Sequence, residues 1–175
     1  MGGVKGWVAL VAALVAATVP VAAEAVVTSG TITASRGAAG IRLGMTRPQV
    51  VAELGQPLYE NANGYMQYGP DTGPLFDVYR DVFTSPSRVR MIGVSGWNFC
   101  FSGGPCLGHK NGVADLKAKF GTRLKIVYLE TGEPVYRVSG RYRGCATFTD
   151  ITPRRFKPGA PLLMVFIGFK SGGAC

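Results

Sequence analysis

The stretch LGMTRPQVVAELGQP, Leu43 to Pro57, sets one glycine before a short apolar helix pattern and another after it. A glycine in front of a helix can cradle a phosphate, or it can simply turn the chain. Here the surrounding residues spell out a bracing helix. Thr46 and Gln49 form a T-x-x-Q capping box, Pro48 stands in the first turn where its missing N–H costs nothing, and Gly55 is the stop. The pattern predicts a helix over 46–54 with Val50, Val51 and Leu54 on one apolar face. A helix this short is not stable alone in water, so that face must lie on something.

Downstream segments supply it. The runs at 62–68, 75–83 and 88–96 read as three strands separated by GPDTGP and TSPS turns. In the second run Phe76, Val78 and Val82 fall on one side and Asp77 and Asp81 on the other, which predicts an antiparallel sheet with one packed and one wet face. The opening pattern then returns over Cys106 to Gly121, with Leu107, Gly108, a capping Asn111, apolar Leu116 and Phe120, and a terminal glycine. Strands follow at 124–129, 135–140, 145–150 and 161–169. Helix then strands, twice, predicts an internal repeat.

Residues 1–23 read as a signal peptide: Lys5, an apolar run from Trp7 to Ala23, and small residues offering cleavage before Glu24 or before Val26. The alternative is an uncleaved membrane anchor, since the run approaches the roughly 20 residues that a bilayer needs. Cleavage after Ala23 removes only Lys5 from the charged residues, taking the net charge from +9 to +8. Residues 24–39, small and polar without an apolar period, read as a flexible lead-in. The remainder divides into a first repeat over 40–100 and a second over 101–175.

Four cysteines, Cys100, Cys106, Cys145 and Cys175, lie beyond the signal. An even count in an exported chain points to two disulfides. Of three connectivities, Cys100 with Cys106 and Cys145 with Cys175 is favoured: the first closes a small loop, the second ties down the tail. Zinc is the rival use, but the chain has no C-x-x-C and a single histidine, His109.

The basic residues are spread along the chain, alternating with apolar positions and carrying no nucleic-acid motif, so nucleic acid is not expected as a partner. No phosphate loop, dinucleotide fingerprint, nucleophile elbow or H-E-x-x-H occurs. His109 sits in a turn, and Asp77 and Asp81 would stand about 13 Å apart on one face, too far for a retaining carboxylate pair. The expectation is a non-enzymatic protein with no catalytic residue, cofactor or metal, and with membrane contact only through an uncleaved signal segment.

The frame GIRLGMTRPQVVAELGQP followed by a tyrosine-bearing strand resembles the exported SmpA/OmlA (BamE-like) domains. Its repetition resembles the β-lactamase-inhibitor-protein (BLIP) fold, in which two such helix-and-sheet units stand in tandem. In this resemblance Gly44, Thr46, Val50, Leu54, Gly55 and Pro57 are structural positions of the helix and its ends. Family members tied to the outer membrane carry a lipid-bearing cysteine after the signal, which VPVAAEAVV lacks. Inhibitor members use an aromatic-rich concave sheet and an acidic hairpin loop; this chain has aromatics on its strands and a hairpin aspartate, Asp71 in GPDTGP. The expected fold is therefore α+β, two tandem repeats of short helix plus antiparallel sheet (BLIP-like) in a single domain.

The function expected is a protein-binding module of the cell envelope or extracellular space, with contact through the sheet face. An inhibitor of an exported hydrolase such as a β-lactamase, or an envelope assembly factor, are the alternatives. Tyr65, Tyr68 and Tyr79, each beside polar neighbours, together with Asp71, Arg137 and Tyr142, are the candidate contact residues.

Overall fold

The structure, a computed structural model, describes residues 24–108, 112–128, 131–132, 134–139, 144–148 and 164–169. The signal segment, His109, Tyr142 and Cys175 lie outside the described residues, and with Cys175 the expected Cys145–Cys175 pairing does too.

The strands are β1 (Gly30–Thr33), β2 (Gly37–Ala38), β3 (Ile41–Arg42), β4 (Tyr59–Glu60), β5 (Tyr65–Gln67), β6 (Phe76–Asp81), β7 (Arg88–Ser95), β8 (Phe99–Phe101), β9 (Leu124–Tyr128), β10 (Pro134–Ser139), β11 (Gly144–Phe148) and β12 (Met164–Phe169). The helices are α1 (Arg47–Leu54) and α2 (Gly112–Phe120), the latter running into a 3₁₀ turn at Gly121–Arg123. Eight strands form one antiparallel sheet in the order β4-β5-β6-β7-β12-β11-β10-β9. The other four form a smaller sheet, β3-β2-β1-β8, in which β1 and β8 run parallel.

This arrangement corrects the expected α+β fold of two tandem helix-plus-sheet repeats. The described residues are mostly β, and the helices among them are only eight and nine residues long. Antiparallel pairing of β7 with β12, from Val94↔Val165 to Met91↔Gly168, makes one continuous sheet of the strands that the repeat reading divides between two units. The stretch 24–39 is also not a lead-in. Ala25 and Val27 donate to the carbonyls of Gln56 and Tyr68 at 3.0 and 2.8 Å, and residues 30–33 pair with both β2 and β8. Its small residues allow close packing: a Cβ at Gly37 would fall 1.8 Å from the Ile41 carbonyl oxygen.

The core lies between the two sheets and the helices. One face of the large sheet buries Met66, Phe76, Val78, Ile92, Val94, Val138, Val165 and Ile167. Phe76 stacks on Phe99 of the small sheet with ring centroids 5.8 Å apart, and Phe101 meets Phe120 of α2 edge-on at 5.6 Å. Buried Val50 seats α1, with Val51 and Leu54 packed around the same core, as its apolar face predicts.

The glycines flanking α1 turn the chain. Gly44, at φ +89°, donates its N–H to Val89 of β7 at 2.8 Å, and Gly55, at φ +88°, closes the helix on the Val51 carbonyl at 2.8 Å. Gln49 Oε1 accepts the Thr46 N–H at 2.8 Å. An ion triad ties helix to sheet: Glu60 of β4 takes Arg47 of α1 at 2.8 Å and Arg80 of β6 at 2.7 Å. Arg47, foremost by its hydrogen bond, holds the Glu60 carboxyl below the usual carboxylate range.

Candidate functional site

Strand pairing decides which side chains share the face of the large sheet turned away from this core. Tyr65 stands opposite Tyr79, and Tyr79 opposite Met91. The neighbouring row runs Gln67, Asp77, Gly93, Phe166, Thr147, Arg137, Lys125 across seven strands. Tyr65, Gln67, Tyr79, Met91, Phe166 and Arg137 are half-buried where a neighbour one residue along is buried, a face less covered than the core side, although Asp77 and Gly93 on it are buried. At the β10–β11 end the face closes: Val135 and Thr147 are buried.

At the β4–β6 end the face is a connected aromatic and acidic cluster. The rings of Tyr59 and Tyr65 lie 6.0 Å apart and those of Tyr65 and Tyr79 5.3 Å apart, all tilted. Beneath them Asp77, only 3% exposed, accepts the Tyr65 hydroxyl at 3.1 Å and is hydrogen-bonded by Tyr79 as well. Burial raises the Asp77 pKa above the ordinary carboxylate value, and the two hydroxyls only partly offset it. The same burial, with the Asp77 charge beside it, drives both tyrosine pKa values up, so both hydroxyls stay protonated donors. Asp71, exposed in the turn between β5 and β6, is held by Gln67, whose amide donates to it at 2.8 Å and to the Gly69 carbonyl at 3.1 Å. Leu58, Tyr59, Tyr65, Gln67 and Asp71 line an open cleft of about 600 Å³.

The structure brings together Tyr65, Tyr79 and Asp71 of the expected contact residues. Arg137 lies on the same face but four strands from Asp77, about 19 Å at the usual strand spacing. Among the described residues its buried Nε has no hydrogen-bond partner, and burial lowers its pKa.

Tyr68 corrects the expectation. It is fully buried, its hydroxyl donates to the Gly55 carbonyl at 3.2 Å, and burial pushes its pKa up to about 12. One residue along from Gln67, it falls on the core side and braces the end of α1. The wet pair Asp77 and Asp81 is corrected too. Asp77 keeps its outward row but is only 3% exposed beneath the tyrosine rings, and Val82, past the end of β6, is 38% exposed.

Tyr59 and the part played by Asp77 lie outside the contact residues that the sequence pattern singles out. The i, i+2 spacings of Tyr65 with Gln67 and of Asp77 with Tyr79 were the available signal, because a hairpin across GPDTGP brings both pairs to one face.

The disulfide expected between Cys100 and Cys106 is present. Among the described residues there is no group of three or more His, Cys, Asp or Glu able to hold a metal ion, and no helix is long and apolar enough to cross a membrane.

Fold and site together define a mostly-β protein whose large sheet is packed on one face and carries an ordered tyrosine row on the other. No family model matches the chain, and neither does any curated protein. The resemblance to SmpA/OmlA domains thus rests on its motif residues. Among solved structures, the crystal structure of an extracellular protein containing an SCP domain from Bacillus anthracis str. Ames is similar at 15% identity, with a TM-score of 0.49. The match covers 73% of this chain and 44% of that one, so the chain spans less than half of that protein's length. At this level the likeness carries no function across.

Proposed function

We propose that this chain is an exported, non-enzymatic protein-binding module of the cell envelope or extracellular space, and that it binds through the open face of the eight-stranded sheet. The observation that carries the reading is the Tyr59–Tyr65–Tyr79 row. Its rings stand on a hydrogen-bonded sheet, and the hydroxyls of Tyr65 and Tyr79 are tied inward to Asp77. Tyrosines fixed in this way offer apolar area at low ordering cost, the property of residues that dominate interfaces. The disulfide and the signal-like N-terminal segment support an oxidising destination.

The test places a photo-crosslinking residue at Tyr59 on the sheet face or at exposed Ala52 on α1, in the exported protein. A partner captured from position 59 and not 52 supports the reading. Its affinity should then fall about tenfold or more in Tyr59→Ala, Tyr65→Ala or Tyr79→Ala variants that keep the parent circular dichroism spectrum. Capture from position 52 alone, or undiminished affinity in all three variants, would remove it.

A further inference from the structure

The cleft beside the tyrosine row specifies what it holds. Its walls are Tyr59, 53% exposed, and Tyr65, with Leu58 supplying an apolar surface and the Asp71 carboxylate the charge. The Tyr65 hydroxyl is turned inward to Asp77, so the ring rather than the hydroxyl is left to the cleft. Gln67 pins Asp71 in place through its amide. Aromatic faces, an alkyl-compatible wall and one oriented carboxylate are together the complement of a flat cation on an aliphatic stem.

Charge along the chain agrees. Between Arg47 and Arg80 there is no lysine or arginine, although the chain carries 19 of them, and the same stretch holds Glu53, Glu60, Asp71 and Asp77. Arg47 and Arg80, which bound it, are both engaged by Glu60. With Glu60 matched by two arginines and Asp77 buried, Asp71 is the exposed charge that this stretch leaves beside the rings.

Resting on the binding-module reading above, we propose that the Leu58–Tyr59–Tyr65–Gln67–Asp71 cleft receives an arginine side chain of the protein partner, its guanidinium stacked on the tyrosine rings and paired with Asp71. Arginine fits better than lysine because a planar, weakly hydrated guanidinium stacks on an aromatic face while its edge meets a carboxylate. Asp77 takes no direct part, being buried under the rings; it positions Tyr65 and Tyr79.

The test titrates the isotope-labelled exported protein with N-acetyl-arginine amide, following backbone amide resonances. N-acetyl-citrulline amide (neutral and equally long), N-acetyl-lysine amide and chitotriose serve as comparisons. Expected are saturable shifts at Tyr59, Tyr65, Gln67 and Asp71 with the arginine amide, weakened by added salt and about threefold or more weaker in Asp71→Asn. That variant should leave resonances distant from the cleft in place, which shows it folded.

Equal response to citrulline or chitotriose, lysine binding as tightly as arginine, an unaffected Asp71→Asn, or no shifts at all would each overturn the proposal. If the arginine titration fails while the tyrosine variants still lose partner affinity, this proposal falls and the sheet-face reading stands. If the tyrosine variants also keep full affinity, both fall.

Discussion

Replacing Tyr65 by phenylalanine isolates the weight of the buried carboxylate at Asp77. The variant keeps the ring and removes only the hydroxyl that donates to Asp77 at 3.1 Å. A hydrogen bond to a charged group contributes about 1.5–3 kcal/mol net. In a chain of this size each kcal/mol moves the melting temperature by about 2–4 °C, so Tyr65→Phe should lose about 3–12 °C at neutral pH. Asp77→Asn should run the other way. Burial raises the folded-state pKa of Asp77 above its ordinary 3.8, so the folded chain holds this proton more tightly than the unfolded chain does. The resulting stability is fully present below the unfolded pKa and is lost as pH rises through the folded one. At neutral pH the charge is therefore a net cost, and an asparagine of the same shape removes it. Asp77→Asn should melt no lower than the parent at pH 7, and its stability should decline less as pH rises from about 4 to 7. Thermal melts by circular dichroism across that range, on the parent, both single variants and the double variant, measure all of this. The Tyr65→Phe penalty should shrink in the Asp77→Asn background, where the acceptor is neutral. An equal penalty in both backgrounds, or an Asp77→Asn chain that melts well below the parent with the parent's pH slope, would show that the Asp77 charge is not a net cost to the fold.

Glu60→Gln should cost about 1–3 kcal/mol at pH 7 by leaving Arg80, 11% exposed, without its carboxylate. Because the Glu60 pKa is lowered in the fold, its stabilisation is present above the ordinary 4.5 and lost as pH falls through the lower folded value. The gap between parent and variant in urea midpoints should therefore narrow in acid. Gly37→Ala should cost more than Gly44→Ala: the first sets a Cβ 1.8 Å from the Ile41 carbonyl oxygen, whereas the second meets only the strain of φ +89° in open space, about 1–3 kcal/mol. Paired urea melts compare them, and equal losses would contradict the crowding at β2. Tyr68→Phe should lose about 1 kcal/mol by leaving the Gly55 carbonyl unbonded, with no effect on partner affinity, in contrast to Tyr65→Ala.

Most of the large sheet was legible in the sequence, because its strands are long enough to show their period. All seven strand segments expected between 62 and 169 contain an observed strand, from β5 to β12 apart from β8. Both helices and the turning role of Gly44 and Gly55 were also legible, since caps and positive-φ glycines are local. What could not be read was non-local. β2, β3 and β4 are two residues each, too short to carry a period, and β1 alternates around a single buried Ile32. The joining of β7 to β12 brings together segments some 70 residues apart, which no local pattern announces. At the site, Tyr65 and Tyr79 were legible as half-polar strand residues. Tyr68 was misread because its polar neighbours, Gln67 and Gly69, hide that it falls on the core side of the strand. Asp77 was misread because a carboxylate on a nominally wet face is ordinarily solvated, and here two hydroxyls from the tyrosine row enclose it.

The retention of a charge that lowers stability follows from what the open face must hold in place. On the core side, packing against Phe99 and the helices fixes each rotamer, and apolar side chains are sufficient. On the other face no opposing layer among the described residues holds Tyr65 and Tyr79; the Asp77 carboxylate takes that place by receiving both hydroxyls. A side chain left to choose among staggered χ1 wells gives up about 0.5–1.5 kcal/mol when a partner immobilises it. On the binding reading proposed above, each anchored tyrosine saves about that much binding energy. Tyr65→Phe should also change the order of the ring. The atom removed points away from the cleft, so any loss of affinity for a partner must come through the order of the ring. Three-bond couplings at the β-protons of residue 65 should report a single χ1 rotamer in the parent and averaging in the variant. A variant that keeps one rotamer would show that neighbouring rings, not Asp77, hold the row upright.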